Sequence, residues 1–196
     1  MRILITGFPY VRKNILEVFD YYPKGDELYF LLPSKWPIKG GKVVYKPPAR
    51  NNIIPVRTFF THSDYFYVGG ALKGWVPAFP FWVWRLGRKK KIDLVFTCSE
   101  PALLSTLYQA VITRLYGAKH VCLTWENINY RKKFKGLKGW FKSVILKLNF
   151  VFSHAIICGN QKAAQIIGSF IDKPHPIIPV SGVNGSFFKK LDIPKQ

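Results

Sequence analysis

Acidic residues are scarce in this chain. Its 196 residues include ten aspartates and glutamates against thirty lysines and arginines, which gives a formal net charge of +20. Such a charge predicts an anionic partner, either nucleic acid, an anionic membrane surface or a phosphorylated substrate. Aromatic residues make up 16% of the chain and are mixed with the cations, which favours a membrane interface over a duplex-binding arm.

Cysteine is rarer still, and histidine is scattered. Cys98, Cys122 and Cys158 each end an apolar run without a close partner, which argues against a disulfide framework and indicates buried thiols in a reducing compartment. The four histidines lie far apart in the sequence: His62, His120, His154 and His175. We therefore predict neither a metal-ligand cluster nor a cofactor bound by this chain alone.

Long hydrophobic runs are missing as well. Lys73, Pro77 and Pro80 interrupt the most hydrophobic region, so no run of about 20 apolar residues remains to cross a bilayer. The apolar run at residues 1–7 is too short for a signal peptide. These features predict a cytoplasmic protein whose contact with the inner face of the membrane is peripheral.

Short apolar runs bounded by glycine, proline and charge alternate with helical patterns. Strands are predicted at residues 2–6, 27–32, 42–45, 53–59, 94–98, 120–124, 154–158 and 176–180. Helices are predicted at residues 14–21, between Ser99 and Gly117, and at residues 137–148 and 162–170, with a basic loop at 129–135. Ser99 should cap the second helix with Pro101 in its first turn, and Gly117 should end it. The order predicts an α/β fold, a Rossmann-like parallel sheet with helices on both faces.

Ligands of such sheets collect at the carboxyl ends of the strands. The turns at residues 98–100 and 124–127 should therefore border any site, together with the turn at 7–14 after the first strand. Arg12 and Lys13 stand beside a helix start in that first turn, where they suit a phosphate, although a solvated surface turn fits equally well.

The segment at residues 65–91 places aromatic residues before a basic cluster, a combination that docks proteins on anionic headgroups. The predicted membrane contacts are Trp75, Trp82, Trp84, Arg85, Arg88, Lys89, Lys90 and Lys91. The alternative is that the aromatics are ordinary core and the cations a solvated helix end. The predicted helix at 137–148 is basic and amphipathic, and no acidic residue occurs between Glu126 and Asp172. Its apolar side could lie at a membrane surface or pack on the sheet.

Four segments, taken in order, resemble one enzyme family. They are KIDLVFTCS at 91–99, TWEN at 124–127, SHAIICGNQ at 153–161 and IIPVSGVNGSFF at 177–188. Together they are similar to the N-terminal half of family 4 glycosyltransferases of the GT-B fold, although Glu126 stands where that family usually has histidine. The resemblance implies an acceptor-side domain at residues 1–182, an interdomain linker at 183–196, and an absent C-terminal donor-binding domain on the same or a separate chain.

The resemblance further implies a retaining, metal-independent transfer of a sugar from a nucleotide-sugar to an acceptor. The basic and aromatic composition suits a lipid-linked acceptor, with a free saccharide as the other choice, and this chain alone should be inactive. Glu126 is the predicted catalytic residue, able to hold or deprotonate an acceptor hydroxyl, unless it forms an ion pair with Arg131 or Lys132. The predicted acceptor-binding residues are Gly7, Phe8, Tyr10, Arg12, Lys13, Asn14, Glu100 and Asn127.

Two functions of other classes remain open at this point. A single-stranded nucleic-acid binder would explain the net charge of +20 and the interleaved aromatics, although no known binding motif occurs and no nucleic acid is expected. A non-catalytic membrane-anchoring subunit of a split transferase would explain the same composition and would recruit a separate catalytic chain.

Overall fold

A parallel sheet forms the centre of the molecule. The computed structural model describes residues 1–22, 25–37, 43–61, 70–88, 90–133 and 136–178. The strands are β1 (Arg2–Thr6), β2 (Glu27–Pro33), β3 (Trp36–Pro37), β4 (Val44–Tyr45), β5 (Ile53–Val56), β6 (Leu94–Thr97), β7 (Lys119–Thr124) and β8 (Ala155–Cys158). Strands β3 and β4 form a separate antiparallel pair, and the other six form one parallel sheet in the order β5-β2-β1-β6-β7-β8.

This strand order confirms the predicted α/β, Rossmann-like fold. The first three strands of the sheet run outward from β1 to one side, and the last three run outward from β6 to the other. All five residues of β1 are buried, as expected for a central strand covered on both faces. The direction of winding reverses between β1 and β6, which is the point where ligands of such sheets bind.

Helices cover both faces of the sheet. They are α1 (Lys13–Leu16), α2 (Phe79–Gly87), α3 (Leu104–Leu115), α4 (Tyr130–Lys133), α5 (Gly136–Phe152) and α6 (Gln161–Gly168), with 3-10 helices at Phe8–Val11 and Glu17–Tyr21. Ile3 and Ile5 pack with the 3-10 and α1 segment, whereas Leu4 packs with α2 on the opposite face. The alternation follows from the two-residue period of a strand.

Two helix predictions need correction. The single helix expected at 14–21 is a four-residue α1 followed by a 3-10 helix, and Val18 with its aromatic neighbours explains the poor α-helical propensity there. Helix α3 begins at Leu104 after an uncapped Leu103, so Ser99 is not its cap and Pro101 is outside its first turn. Thr106 and the Leu103 amide both donate to the Glu100 carbonyl, which holds residues 100–103 in a turn. Gly117, with a φ of 71°, follows the end of α3 and stops that helix as predicted.

Several strand boundaries also differ from expectation. β5 ends at Val56 instead of residue 59, because Phe59 turns away to bridge Trp75. The strand predicted at 42–45 is the two-residue β4, and the predicted basic loop contains α4. Residues 176–178 pair with β8 in parallel as the predicted strand requires, because the Cys158 amide donates to the Pro176 carbonyl and the Ile178 amide donates to the Cys158 carbonyl, both at 2.9 Å. Residues 42, 179–180 and the predicted linker at 183–196 lie outside the described residues.

A buried polar chain joins the middle strands to the helices of one face. Thr6 and Thr97 both donate to Gln109 Oε1, at 2.7 and 2.9 Å. The two ring nitrogens of His120 lie 3.0 Å from Thr97 Oγ1 and 2.9 Å from Ser153 Oγ. Burial lowers the pKa of His120 to about 3, with His154 as a second cause, so the imidazole is neutral.

Candidate functional site

A cavity of about 500 Å³ opens at the carboxyl edge of the sheet, where β1, β6 and β7 end. It therefore occupies the point at which the winding of the sheet reverses. Its lining residues come from the turns after these three strands and from the first helical segment: Phe8, Pro9, Asn14, Ile15, Val18, Cys98, Ser99, Glu100, Leu123 and Trp125.

Gly7 makes the junction between β1 and β6 possible. Its φ of 135° lies in a region that residues with a side chain rarely adopt. A Cβ atom at this position would lie 2.7 Å from the Cys98 carbonyl oxygen and 2.8 Å from Cys98 Cβ. The two strand ends consequently approach each other as closely as backbone alone permits, and the cavity lies above them.

The Glu100 carboxylate is held at the cavity by groups from the end of β7. Oε2 accepts from Thr124 Oγ1 at 2.8 Å and from the Tyr130 hydroxyl at 3.5 Å, and Oε1 accepts from the Trp125 amide at 3.1 Å. Burial, followed by the charge of Glu100, raises the pKa of Tyr130, so this hydroxyl stays protonated as a donor. These contacts fix the orientation of the carboxylate before any ligand arrives.

Trp125 forms one wall of the cavity and depends on a distant glycine. Its indole packs on Gly159, where a Cβ atom would lie 2.7 Å from the ring carbons. Gly159 directly follows β8 and donates its amide to the Thr124 carbonyl at 2.9 Å. The absence of a side chain at residue 159 therefore sets the position of the indole.

The cavity wall at Phe8 combines stacked aromatics with a cation. Phe8 stacks on Trp36 with ring centroids 4.5 Å apart, and the Lys73 ammonium lies 4.6 Å from the Phe8 centroid. Burial lowers the pKa of Lys73, and no acidic side chain of the described residues forms an ion pair with it. The cavity lining thus includes a carboxylate at Glu100 and the aromatic ring of Phe8, which has a positive charge beside it.

Cys98 lines the cavity without the character of a nucleophile. Burial raises the pKa of its thiol to about 12. Burial also raises the pKa of Tyr10, and a hydrogen bond to Cys98 adds to this increase. A protonated thiol is a poor nucleophile, so we assign Cys98 a packing role.

The predicted acceptor-binding residues divide into two groups. Phe8, Asn14 and Glu100 line the cavity, and Gly7 forms its base. Tyr10, by contrast, is 1% exposed, packs edge-on against Phe19 in the core and is not among the residues that line the cavity.

The predicted cations of the first turn face elsewhere. The Arg12 guanidinium lies over the Tyr45 ring at 5.1 Å, and Lys13 pairs with Glu17 at 3.7 Å across one helical turn. Neither belongs to the cavity lining. Their contacts match the surface-turn alternative more closely than a phosphate site.

Glu126, predicted to be catalytic, lies next to the cavity but outside its lining. Its carboxylate accepts from the Ile128 amide at 3.2 Å within the same loop, and its amide donates to Thr124 Oγ1 at 3.1 Å. Asn127 is exposed, and the side chain of Arg131, an alternative partner of Glu126, lies outside the described residues. Of the two glutamates, Glu100 is the one whose carboxylate the structure places at the cavity.

Sequence reasoning missed several lining residues. Ser99 and Trp125 lie within the two turns expected to border the site, so strand ends were the useful signal. Ile15 and Val18 were assigned to the packing face of a helix, and nothing in their spacing distinguishes a core position from a cavity wall. Leu123 belongs with them, since it is part of a predicted strand, whereas Pro9 lies in the turn at 7–14 that was expected to border the site.

The predicted membrane contacts do not gather at this cavity. Trp75 is half-buried and stacks on Tyr108 at 4.3 Å. The other predicted contacts belong to α2 and the residues after it: Trp82, Trp84, Arg85, Arg88, Lys90 and Lys91. Arg2 at the start of β1 donates to the Leu86 and Lys90 carbonyls, which places the basic end of α2 at the amino edge of the sheet. Lys89 lies outside the described residues.

Neither a scan against protein-family models nor a search of curated proteins returns a match to this chain. Within the described ranges, no group of three histidine, cysteine, aspartate or glutamate side chains converges as metal ligands. The helices in those ranges are all too short or too polar to cross a membrane.

Proposed function

We propose that this chain is the acceptor-binding, membrane-associated domain of a glycosyltransferase that moves a sugar from a nucleotide-sugar to a lipid-linked acceptor. The observation that carries the proposal is the Glu100 carboxylate, held by Thr124 and the Trp125 amide at a cavity where the sheet reverses its winding. The resemblance of the strand ends to the N-terminal half of GT-B glycosyltransferases gives the reaction class.

The chemistry of the cavity suits a sugar acceptor. Sugars present hydroxyl groups around the ring and apolar C–H faces above and below it. Phe8 and Trp125 offer aromatic surface for such a face, whereas Glu100, Asn14 and Ser99 offer polar groups for hydroxyls. Apolar walls with a few fixed polar groups are the usual composition of small-molecule sites.

Glu100 is the residue that we expect to hold the acceptor hydroxyl. An ionised carboxylate accepts the hydroxyl proton and raises the nucleophilicity of the oxygen, provided the two groups are within hydrogen-bond distance. Its fixed orientation removes the need for reorganisation during transfer. The nucleotide-sugar donor is bound by a second domain, on the same or another chain, so this chain alone does not transfer sugar.

The first test is direct binding measured by saturation-transfer NMR and calorimetry. Saccharides and lipid-linked saccharides should bind this chain, and nucleotide-sugars should not. Glu100→Gln should weaken saccharide binding about tenfold, the value of one charge-assisted hydrogen bond. Asp172→Asn removes an exposed acid away from the cavity and should leave binding unchanged. Binding of nucleotide-sugars but no saccharide would contradict the assignment.

The second test compares the two glutamates in an enzyme that contains both domains. We expect Glu100→Gln to lower kcat about 100-fold through loss of the hydroxyl acceptor, and Glu126→Gln to have a smaller effect. Wild-type turnover in Glu126→Gln removes Glu126 from the chemistry. Wild-type turnover in Glu100→Gln would instead support the non-catalytic anchoring subunit.

A further inference from the structure

Helix α5 has two apolar faces, and only one of them is covered. Leu146 and Phe150 pack against the sheet and α6, and Ile145 is buried as well. The second face carries exposed residues that we call the outer stripe: Leu137, Trp140, Phe141, Leu148 and Val151. At 3.6 residues per turn these five positions fall on the side opposite the buried ones. Covering the sheet therefore accounts for one face of α5 and leaves the outer stripe unexplained.

The outer stripe begins at the edge of the molecule that holds the cavity. Leu137 and Trp140 are 83% and 63% exposed, and both belong to the first turns of α5. The chain enters α5 from the carboxyl end of β7 through the loop that carries Trp125 and Ile128. Ile128 is also exposed, and Trp125 itself lines the cavity. Exposed apolar side chains thus occur both beside the cavity wall and at the start of α5.

The far end of α5 continues the same surface. A groove of about 630 Å³ separates α5 from the end of α6, with Lys147 and Lys173 among its lining residues. Its apolar walls come from both elements: Phe150, Val151, Phe170 and Ile171. Lys173 also donates to the Val151 and Ser153 carbonyls at 3.0 and 2.9 Å, which fixes the last turn of α5.

Charge identifies the partner of this surface. Residues 127–153 contain seven lysines and arginines and no acidic residue. A second copy of this chain, at a net charge of +20, would repel such a surface. Anionic lipid attracts it by about 1 kcal/mol for each cation near the headgroups, while the exposed aromatic and aliphatic side chains enter the acyl boundary.

We infer that α5 docks on an anionic membrane through the outer stripe, with Ile128 and the cavity mouth at the lipid surface. A lipid-linked acceptor would then reach Glu100 from the bilayer without leaving it. The inference rests on the membrane association in the proposed function and names its surface. It replaces the cluster at the end of α2, whose cations lie at the amino edge of the sheet.

The α2 cluster supplies a matched control. Phe81 and Trp84 are 48% and 45% exposed, so their replacement also removes one aromatic and one further apolar side chain from the surface, although less exposed ones than Leu137 and Trp140. Their neighbouring cations are already engaged, because Arg88 lies over the Trp84 ring at 4.9 Å and Lys90 pairs with Glu27 at 3.0 Å. All four apolar side chains are at least partly exposed, so both double variants should fold.

The experiment is co-sedimentation with phosphatidylcholine vesicles, with and without phosphatidylglycerol, over a salt series. The full chain should bind only the anionic vesicles and bind less as salt rises. Leu137→Ser with Trp140→Ser should lower affinity about tenfold or more, and Phe81→Ser with Trp84→Ser less than about twofold. The reverse ranking, or equal loss in both variants, would overturn the inference.

Brominated lipid gives a second readout that separates insertion from folding defects. Trp140→Phe keeps the apolar surface but removes one indole, so vesicle binding should persist while quenching of tryptophan fluorescence by brominated lipid decreases. Trp84→Phe should leave the quenching unchanged. The wild-type chain could instead prove to be a dimer in solution. If the double variant Leu137→Ser with Trp140→Ser were then a monomer, the outer stripe would be an interface between two copies and the inference would be overturned. Glu100→Gln should bind vesicles normally, so failure here and failure of acceptor binding are distinguishable.

Discussion

At the scale of single residues, Gly7 has the most demanding position. Its φ of 135° and the 2.7 Å separation between a hypothetical Cβ and the Cys98 carbonyl oxygen act together. Gly7→Ala should therefore lower the free energy of unfolding by about 2–4 kcal/mol, through backbone strain and a clash that neither strand can relieve. Urea unfolding followed by circular dichroism measures this loss.

Gly25 is the matched control for that substitution. Its φ of 126° is similarly unfavourable for alanine, but no atom lies within 4 Å of a Cβ there. Gly25→Ala should cost about 1–2 kcal/mol from strain alone. The difference between the two losses in unfolding free energy measures the contribution of the close approach between β1 and β6. Equal losses would show that this approach does not contribute to stability.

Some residues of the site could be predicted from the sequence, and others could not. Turns after strands were sufficient to find Glu100 and the neighbourhood of Trp125. They were insufficient for Tyr10, because its burial depends on contact with Phe19, and for the Trp125 wall, because Gly159 lies 34 positions later. Local pattern predicts which turns meet, whereas side-chain direction depends on packing between distant segments.

At the scale of elements, the polar chain through His120 joins β7 to β6, α3 and the end of α5. The folded-state pKa of His120 is about 3, against about 6.5 in the unfolded chain. Below pH 6.5 the unfolded chain therefore binds a proton that the folded chain does not, and stability decreases as pH falls towards 3. Between pH 7.5 and 5 we expect His120 to account for about 2 kcal/mol of lost stability.

Urea unfolding at several pH values in this range gives the slope of the unfolding free energy against pH, and this slope tests the role of His120. His120→Gln should reduce the pH dependence of the unfolding free energy, whatever its effect on absolute stability. Burial lowers the pKa of His154 as well, so a smaller dependence of the same sign should remain. An unchanged slope in His120→Gln would assign the acid sensitivity to other groups.

Element boundaries illustrate why strands were easier to predict than helix starts. Each sheet strand is a short apolar run bounded by glycine, proline or charge, and the six occur close to where that pattern places them. The start of α3 was wrong because Thr106 and the Leu103 amide contact the Glu100 carbonyl, a turn that no local capping preference for Ser99 reveals. A similar competition between local arrangements divides the predicted first helix into α1 and a 3-10 helix.

At the scale of the whole molecule, the net charge of +20 opposes compactness. Self-repulsion among exposed cations is screened by salt, because the Debye length falls from about 30 Å at 0.01 M to about 8 Å at 0.15 M. The Tm should therefore rise by several degrees over this range of ionic strength. Differential scanning calorimetry in chloride and in acetate should give the same rise, and a flat or falling Tm would contradict a repulsive net charge.

The strand order also determines when the molecule can form during synthesis. β1 comprises Arg2–Thr6, yet one of its two neighbours, β6, begins only at Leu94. Until β6 has emerged, one side of the most central strand presents unpaired backbone groups. The cavity forms later still, since its Trp125 wall awaits Gly159. A nascent chain of this protein therefore exposes that strand edge while the residues between Thr6 and Leu94 are being made.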